Sequence, residues 1–433
     1  MKKIISLIIV CTIIISGMFI YGKSDKKDLL EDNNGPIIAA VIDGKASTTF
    51  PTTNKYTATV ECTRNGIKQD VGAKATWNGT KWVVSFNDIS AGNVRCNATF
   101  ITKVPTFSET ILANNEVKTP ITTPGAAIST ASEALLASTE DDYGTSYYFR
   151  GAVTNNYVEF ANKCWRIVRV GGDGSVKLIL HNDNPTGAAN PCDAANNSAS
   201  AAFAHYNGST YTSRFNENYD DNAYIGFKYG TPGSSKYETT HANTNKSTIL
   251  TNLETWYTNN LKTYESVIDN SVWCNDKTNV TDTTYNPWNM SNVNGLGYGT
   301  NVTYYGATQR LVSKSNSARG TGPSLKCNGE LSKITSKVGL ITADELAFAG
   351  YAYAVRNSTT YLQENATDTY WWSLSPSDFI DGIAAVWSVR GSDGRFGNAF
   401  VSGAGGFRPS ISLVSSTTIF SGSGTSEDPY VVN

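Results

Sequence analysis

The sequence predicts an α+β fold, in which a small β-sandwich module precedes a larger domain with two main helices and several hairpins. Segments that alternate between apolar and polar residues, such as 55–62 and 94–100, are typical of half-buried strands. Two later segments carry helix start signals followed by an apolar stripe. Near the C-terminus, three short strand-like segments separated by turn residues end in a Gly-Phe-Arg-Pro step at 406–409.

Residues 37–104 form the predicted β module. Its alternating segments are joined in one place by an Asn-Gly pair between two tryptophans, which is a hairpin turn signal. Cys62 and Cys96 fall on separate strands, and we expect a disulfide that links them across a small sandwich. Their separation is too short for a true immunoglobulin domain. The module is therefore immunoglobulin-like only in a loose architectural sense, and its residues favour a spacer role over binding.

Two helices are predicted in the larger domain, which spans 141–433. Ser247 can cap the first helix. Its apolar stripe consists of Ile249, Leu253, Trp256, Tyr257 and Leu261. The second helix begins at a capping box formed by Thr342 and Glu345 and runs to about Gly350. A Cys-Trp-Arg segment at 164 and a Gly-Gly-Asp-Gly turn at 171–174 predict a hairpin earlier in the domain.

The N-terminal residues predict that the chain is exported and attached to the membrane at its N-terminus. Within residues 1–23, two lysines precede an uncharged apolar run that just reaches the length of a bilayer core. No Ala-x-Ala cleavage pattern follows, so a retained anchor is favoured slightly over a cleaved signal peptide. Residues 24–36 predict a linker. Residues 105–140 are rich in Thr, Pro and Ala and predict a second linker, within which 128–136 could form a short helix.

Cysteine usage agrees with an extracellular, cell-surface location. Beyond Cys11 the chain has six cysteines, and an even number in an exported protein is typical of disulfides. Cys274 and Cys327 bracket a long irregular segment that a bridge would close. Elimination then leaves Cys164 with Cys192, although four cysteines allow three pairings. No cysteine or histidine spacing indicates a metal site, and we expect no cofactor.

Composition excludes some partners and favours others. The 35 basic residues nearly balance the 37 acidic ones, so nothing directs the chain to nucleic acid. The 23 tyrosines and 9 tryptophans stand among Asn, Ser and Gly, as in loops that bind ligands at low entropic cost. We therefore expect a partner on a host or microbial surface, either a glycan or a protein.

The region from about 271 to 330 is the predicted centre of binding. It is too long and too aromatic for an ordinary connection or a disordered segment. We expect a ligand-binding surface formed by this region together with part of the C-terminal strands. Its candidate residues are Trp273, Tyr285, Trp288, Tyr304, Tyr305, Trp387, Arg390 and Arg395.

Catalytic motifs do not stand out. The three histidines are scattered, and no Gly-x-Ser-x-Gly elbow is present. Adjacent carboxylates such as Asp220 and Asp221 diverge on an extended chain and do not indicate an acid/base pair. Arg408 is predicted to have a structural role through buried hydrogen bonds. We therefore predict a non-catalytic protein.

The span from 141 onward resembles a group of exported, largely uncharacterised surface proteins of Gram-positive gut bacteria and their wall-less relatives. The segments that carry the resemblance are 148–151, 164–169, 253–257, 273–276, 338–345, 371–376, 406–409 and 422–430. The C-terminal core also resembles C-type-lectin-like and formylglycine-generating-enzyme-like folds. That resemblance implies a lectin-like α+β architecture, which presents ligand-binding loops.

Departures from those folds limit what the resemblance implies. The calcium-binding Glu-Pro-Asn and Trp-Asn-Asp steps of C-type lectins are missing, as is any cysteine after Cys327 for oxidase chemistry. Three alternatives stay open. The chain could be a structural envelope protein without a specific ligand. It could be an enzyme of similar fold but different chemistry, or carry a binding patch diversified between 371 and 407.

Overall fold

The computed structural model describes residues 37–87 and 94–432, which divide into two compact units at the step from Val104 to Pro105. Strands account for 35% and helices for 13% of the structure, so the predicted α+β, strand-rich class is confirmed at this coarse level. The predicted anchor or signal peptide and the linker at 24–36 lie outside the described residues. Among the residues that are described, no helix has the length and apolar character needed to cross a membrane.

The first unit combines a five-stranded sheet with a hairpin. Its described strands are β1 (Ile37–Ile42), β2 (Lys45–Ser47), β3 (Tyr56–Arg64), β4 (Ile67–Gln69), β5 (Lys74–Trp77), β6 (Trp82–Ser85) and β7 (Val94–Thr102). The sheet has the order β2-β1-β7-β3-β4, and β5 pairs with β6 through the predicted turn. The hairpin packs on the sheet through Trp82, whose ring centroid lies 5.3 Å from that of Phe100.

The disulfide of this unit lies within one sheet. Cys62 and Cys96 are directly opposite each other on the neighbouring strands β3 and β7, with Cα atoms 4.0 Å apart. The predicted pairing is confirmed, but the expected link across a sandwich is wrong. Alternation along a strand shows which residues face inward. It does not show whether the partner cysteine is on a neighbouring strand of the same sheet or on a facing sheet.

The second unit begins at Pro105 and contains the remaining elements. Its strands are β8 (Ala134–Asp141), β9 (Gly144–Gly151), β10 (Tyr157–Phe160), β11 (Lys163–Val170), β12 (Val176–Asn182), β13 (His205–Tyr206), β14 (Ser209–Thr210), β15 (Thr212–Ser213), β16 (Lys228–Tyr229), β17 (Asn245–Lys246), β18 (Ser271–Cys274), β19 (Thr303–Tyr304), β20 (Lys333–Ser336), β21 (Trp371–Ile380), β22 (Ile383–Val389), β23 (Phe396–Phe400), β24 (Gly405–Gly406), β25 (Ser410–Leu413) and β26 (Tyr430–Val432). Its helices are α1 (Phe107–Asn114), α2 (Tyr237–Thr240), α3 (Thr248–Asn260), α4 (Gly306–Leu311) and α5 (Ala343–Ala349).

Two larger sheets organise this unit. The first has the order β25-β12-β11-β10-β26, with β9 also paired to β11 and β8 paired to β9. The second has the order β15-β24-β21-β22-β23, with β19 also paired to β21. Because β26 runs parallel to β10 and β25 runs antiparallel to β12, the last strands of the chain return to the strands that open the domain.

The prediction of a linker at 105–140 is wrong, because these residues are folded into the second unit. Helix α1 begins at a capping box formed by Thr106 and Glu109. Strand β8 pairs along its whole length with β9, so the short helix considered at 128–136 is also wrong. Thr and Pro here serve caps and turns, while apolar residues such as Phe107 and Leu136 are buried in the core.

Both predicted main helices are confirmed. The hydroxyl of Ser247 accepts the N–H of Leu250 at the start of α3. Thr342 and Glu345 form the reciprocal capping box of α5, and Gly350 follows its last residue with a φ of 127°. Only glycine adopts that backbone conformation without strain, which explains where this helix ends.

A buried ion pair fixes strand β9 to the segment that precedes β8. Glu133 and Arg150 have fully buried side chains, with Oε1 and Nε 3.0 Å apart. Arg150 also donates to the carbonyl oxygens of Ala347 and Phe348 at the end of α5. Arg150 therefore links the first of the two larger sheets to helix α5.

We predict that Glu133→Ala lowers the free energy of unfolding by about 3–5 kcal/mol, because it leaves the guanidinium of Arg150 buried without a counter-charge. Urea unfolding of the whole chain measures this. Glu116→Ala removes a carboxylate from an exposed pair with Lys118 and should change stability by less than about 0.5 kcal/mol. Equal losses in the two variants would contradict a dominant role for the buried pair.

Candidate functional site

The predicted aromatic residues lie mostly in the interior. Five of the six are at most 3% exposed: Trp273, Tyr285, Tyr304, Tyr305 and Trp387. The sixth, Trp288, is half-buried, and its Nε1 donates to the hydroxyl of Tyr353 at 2.9 Å. The predicted position of the five rings on a ligand-binding surface is therefore wrong.

Internal hydrogen bonds hold the polar atoms of four of the five buried rings, whereas Nε1 of Trp387 has no hydrogen-bond partner among the described residues. The hydroxyl of Tyr305 donates to the side-chain oxygen of Asn222 at 2.6 Å, and that of Tyr304 donates to Asn286 at 2.9 Å. Nε1 of Trp273 donates to the carbonyl oxygen of Ser336 at 2.9 Å. Polar groups that are satisfied inside the protein have no further requirement for a ligand.

The irregular segment at 271–330 folds around part of its own aromatic content. Val280, Tyr285 and Tyr304 form a small apolar cluster, against which Trp288 packs. Such a segment makes few ladder hydrogen bonds, so inward-facing rings supply much of its packing energy. The rings therefore stabilise the segment rather than presenting it to solvent.

All the predicted disulfide pairs are present. Cys274 and Cys327 close the irregular segment, with Cα atoms 5.5 Å apart. Cys164 and Cys192 are joined with Cα atoms 5.0 Å apart, and the first unit has its own bridge. Disulfides persist in oxidising compartments, so this pattern is consistent with an extracellular protein.

The exposed members of the predicted set, Arg390 and Arg395, line an open cleft with a volume of about 480 Å³, which we name the terminal cleft. Its floor lies on one face of β22 and β23, where Ser388 is directly opposite Gly397 and Ala399 follows on the same face. These small residues leave room above the sheet. A Cβ atom built on Gly397 would meet no atom within 4 Å, because the space is open.

Two tyrosines form walls of the terminal cleft. Tyr353 and Tyr370 are both half-buried, and the ring of Tyr370 packs edge-on against Trp372 at 5.1 Å. Burial raises the pKa of Tyr370 to about 12, so its hydroxyl is neutral and can donate a hydrogen bond at ordinary pH. Trp387 lies beneath, with its ring 5.8 Å from Tyr353, and therefore supports the cleft without lining it.

Two of the arginines at the cleft are paired with a carboxylate, and a third, Arg395, is not paired with any described residue. Asp393 accepts from Nε of Arg390 at 2.7 Å and pairs with Nε of Arg356 at 2.9 Å. The hydrogen bond from Arg390 lowers the pKa of Asp393, which keeps this carboxylate ionised. Arg395 is exposed, and among the described residues its guanidinium has no hydrogen-bond or ion-pair partner.

A second, narrow cavity of about 40 Å³ lies beside α5 and is crossed by paired charges. Glu345 accepts from Arg169 at 2.9 Å and from Lys177 at 2.7 Å. Arg310 pairs with Asp276 and Asp344 at 2.6 and 2.7 Å. Because these carboxylates are held by cations and the space fits little more than water, the arrangement is suited to stability rather than to substrate binding.

The buried histidines are uncharged near neutral pH. Burial lowers the pKa of His181 well below its usual value and lowers that of His241 to about 3. Over residues 37–87 and 94–432, no three His, Cys, Asp or Glu side chains are grouped so that they could hold a metal ion.

No protein-family model, curated protein sequence or solved structure matches this chain. The resemblance to exported surface proteins and to lectin-like folds therefore stays a prediction, argued from the residues that carry it.

Sequence reasoning missed the tyrosines and the small floor residues of the cleft. A usable signal was present, because Arg395, Gly397 and Ala399 occupy alternate positions and so share one face of a strand. Large side chains beside small ones on the same face indicate a concave surface. That face could have been identified without coordinates, although its exposure could not.

We predict that the Glu345 network makes stability depend on acid pH. Burial alone would raise the pKa of Glu345, but Lys177 and Arg169 lower it to about 2. A depressed pKa contributes stability that is complete above the unfolded value of 4.5 and is lost as pH falls towards 2, here roughly 3 kcal/mol. Unfolding free energies at pH 7, 4.5 and 3 should fall less steeply in Glu345→Gln than in wild type. The control Glu330→Gln, at an exposed carboxylate, should keep the wild-type pH profile.

Proposed function

We propose that this chain is an exported, non-catalytic recognition protein of the cell surface that binds its ligand in the terminal cleft. The observation that carries the proposal is the cleft itself, with its open floor above Gly397, its half-buried Tyr370, and Arg395, whose guanidinium has no partner within the described part of the chain. Its volume of about 480 Å³ falls in the range of small-molecule sites in proteins. The partner would be a glycan or a protein on a host or microbial surface.

The proposal includes a lectin-like architecture for the second unit. A pair of sheets, two capped helices and terminal strands that return to the start of the domain support it, together with the resemblance of the C-terminal core to lectin-like folds. Three disulfides support an extracellular location. Attachment through the N-terminal apolar segment is part of the same proposal, with the first unit as a spacer.

A structural envelope protein without a specific ligand is the second candidate. It is favoured by the inward orientation of five of the six predicted aromatic residues. The terminal cleft argues against it, because an exposed arginine beside open space has no packing role. An enzymatic function has less support, since the carboxylates of the narrow cavity are held in ion pairs.

We predict that Gly397→Trp abolishes ligand binding while the protein stays folded. The floor position faces open space, and its backbone lies in an ordinary strand, so an indole can occupy the cleft without disturbing the sheet. Glycan and protein arrays probed with the whole chain identify ligands, and titration then compares affinities. Asn259→Trp, at an exposed position of α3, is the matched control and should bind as wild type does.

The outcomes separate the two candidates. Ligands lost only in Gly397→Trp place recognition at the cleft. Ligands that bind both variants equally would locate recognition elsewhere. An absence of specific ligands on both arrays would favour the structural envelope protein.

A further inference from the structure

We infer that the ligand of the terminal cleft is an acidic saccharide, whose carboxylate pairs with the guanidinium of Arg395 and whose sugar ring lies against Tyr370. This inference rests on the proposed function, because it uses the same cleft. It adds the chemical class of the ligand and the residue that selects it.

The charge around the cleft favours an anion. Three arginines, Arg356, Arg390 and Arg395, face two carboxylates, Asp393 and Asp368. Asp393 is already shared by Arg356 and Arg390, and this holds both guanidinium groups in place. Arg395 is left to bind a group from outside. A carboxylate matches the planar fork of arginine through two parallel hydrogen bonds.

The lining favours a saccharide over a peptide. Among the described residues that line the cleft, no aliphatic side chain is larger than alanine. Peptide grooves usually anchor apolar side chains in pockets, and such pockets are missing from this lining. Instead, the hydroxyl-bearing residues Thr369, Ser388 and Ser392 line the space beside the ring of Tyr370. Hydroxyl groups around an aromatic wall suit a hydroxylated ring.

The outer edge of β23 also argues against a peptide that would add as a further strand. This strand is at the edge of its sheet, where an added strand needs a row of open N–H and C=O groups. The carbonyl oxygen of Phe396 already accepts from Ala354, and that of Phe400 accepts from Gly403. Both ends of the edge are thus occupied by the chain itself, and too little remains to pair with a peptide.

The test uses matched saccharide pairs that differ only in charge. Trigalacturonate is compared with its methyl ester, and 3′-sialyllactose with lactose, by calorimetric titration of the whole chain at low and moderate salt. We expect at least one acidic probe to bind more tightly than its neutral partner, and to bind more weakly as salt rises. Arg395→Ala should weaken that binding by about 10-fold or more, since a charged hydrogen-bonded pair is lost.

Two further variants complete the design. Lys236→Ala removes an exposed cation outside the cleft and should keep wild-type affinity, which controls for net charge. Gly397→Trp should abolish binding of acidic and neutral probes alike. Circular dichroism checks that every variant has kept its fold.

The results can overturn the inference without overturning the proposed function. Neutral probes that bind as tightly as acidic ones, and are lost in Gly397→Trp, would leave the cleft as the site and reject the acidic class. The acidic class is also rejected, with the cleft kept as the site, if the array ligands that Gly397→Trp blocks are proteins. It is likewise rejected if no acidic probe binds. Acidic probes that bind equally to Arg395→Ala would reject the role of Arg395. Binding that survives Gly397→Trp would reject both proposals.

Discussion

The architecture of the second unit depends on Arg408, which joins its two larger sheets. The guanidinium donates to the carbonyl oxygen of Leu180 in the first sheet and stacks 4.8 Å from the ring of Trp371 in the second. A further hydrogen bond reaches the carbonyl oxygen of Leu362. Burial lowers the pKa of Arg408 to about 10, which leaves it charged at neutral pH. A buried cation bound to backbone carbonyls fixes the spacing of both sheets.

That spacing decides where the second sheet is covered and where it is open. Trp371 and Trp372 point to opposite faces of β21, yet both are fully buried. Nε1 of Trp372 donates to the carbonyl oxygen of Ser213, and the ring of Phe215 packs on it at 6.0 Å, so the segment that follows β15 covers this face. Further along the sheet, Gly397 and Ala399 provide no bulk. Coverage ends there, and the terminal cleft begins.

Local signals allowed much of the fold to be predicted, because each depends on neighbours in the chain. The capping box at Thr342 and the Asn-Gly hairpin are of this kind, whereas the disulfide pairs, whose cysteines are 28 to 53 residues apart, were inferred from the number and placement of the cysteines. The burial of Tyr305 was not predictable in this way, because it depends on Asn222, which is distant in sequence and accepts its hydroxyl. The linker prediction for residues 105–140 was wrong for a related reason. Their composition is typical of linkers, and their place in the second unit depends on distant residues such as Tyr430, whose ring packs against that of Phe107 at 5.3 Å.

The structure therefore reverses the roles that composition suggests for arginine and aromatic residues. Aromatic rings fill the interior, and two arginines line the open cleft. A chain with few charges and many aromatic residues has little ionic surface, so its composition suggests that aromatic side chains make its contacts. However, an interior with long irregular segments needs large rings to fill it, and rings such as Trp273 are used there. The open end of the second sheet carries two guanidinium groups: that of Arg390 is fixed by Asp393, and that of Arg395 has no partner among the residues that the structure describes. Arg395 differs from other exposed cations because it lines a cleft of ligand size beside a tyrosine, and that combination indicates ligand binding more strongly than an aromatic residue in the interior does.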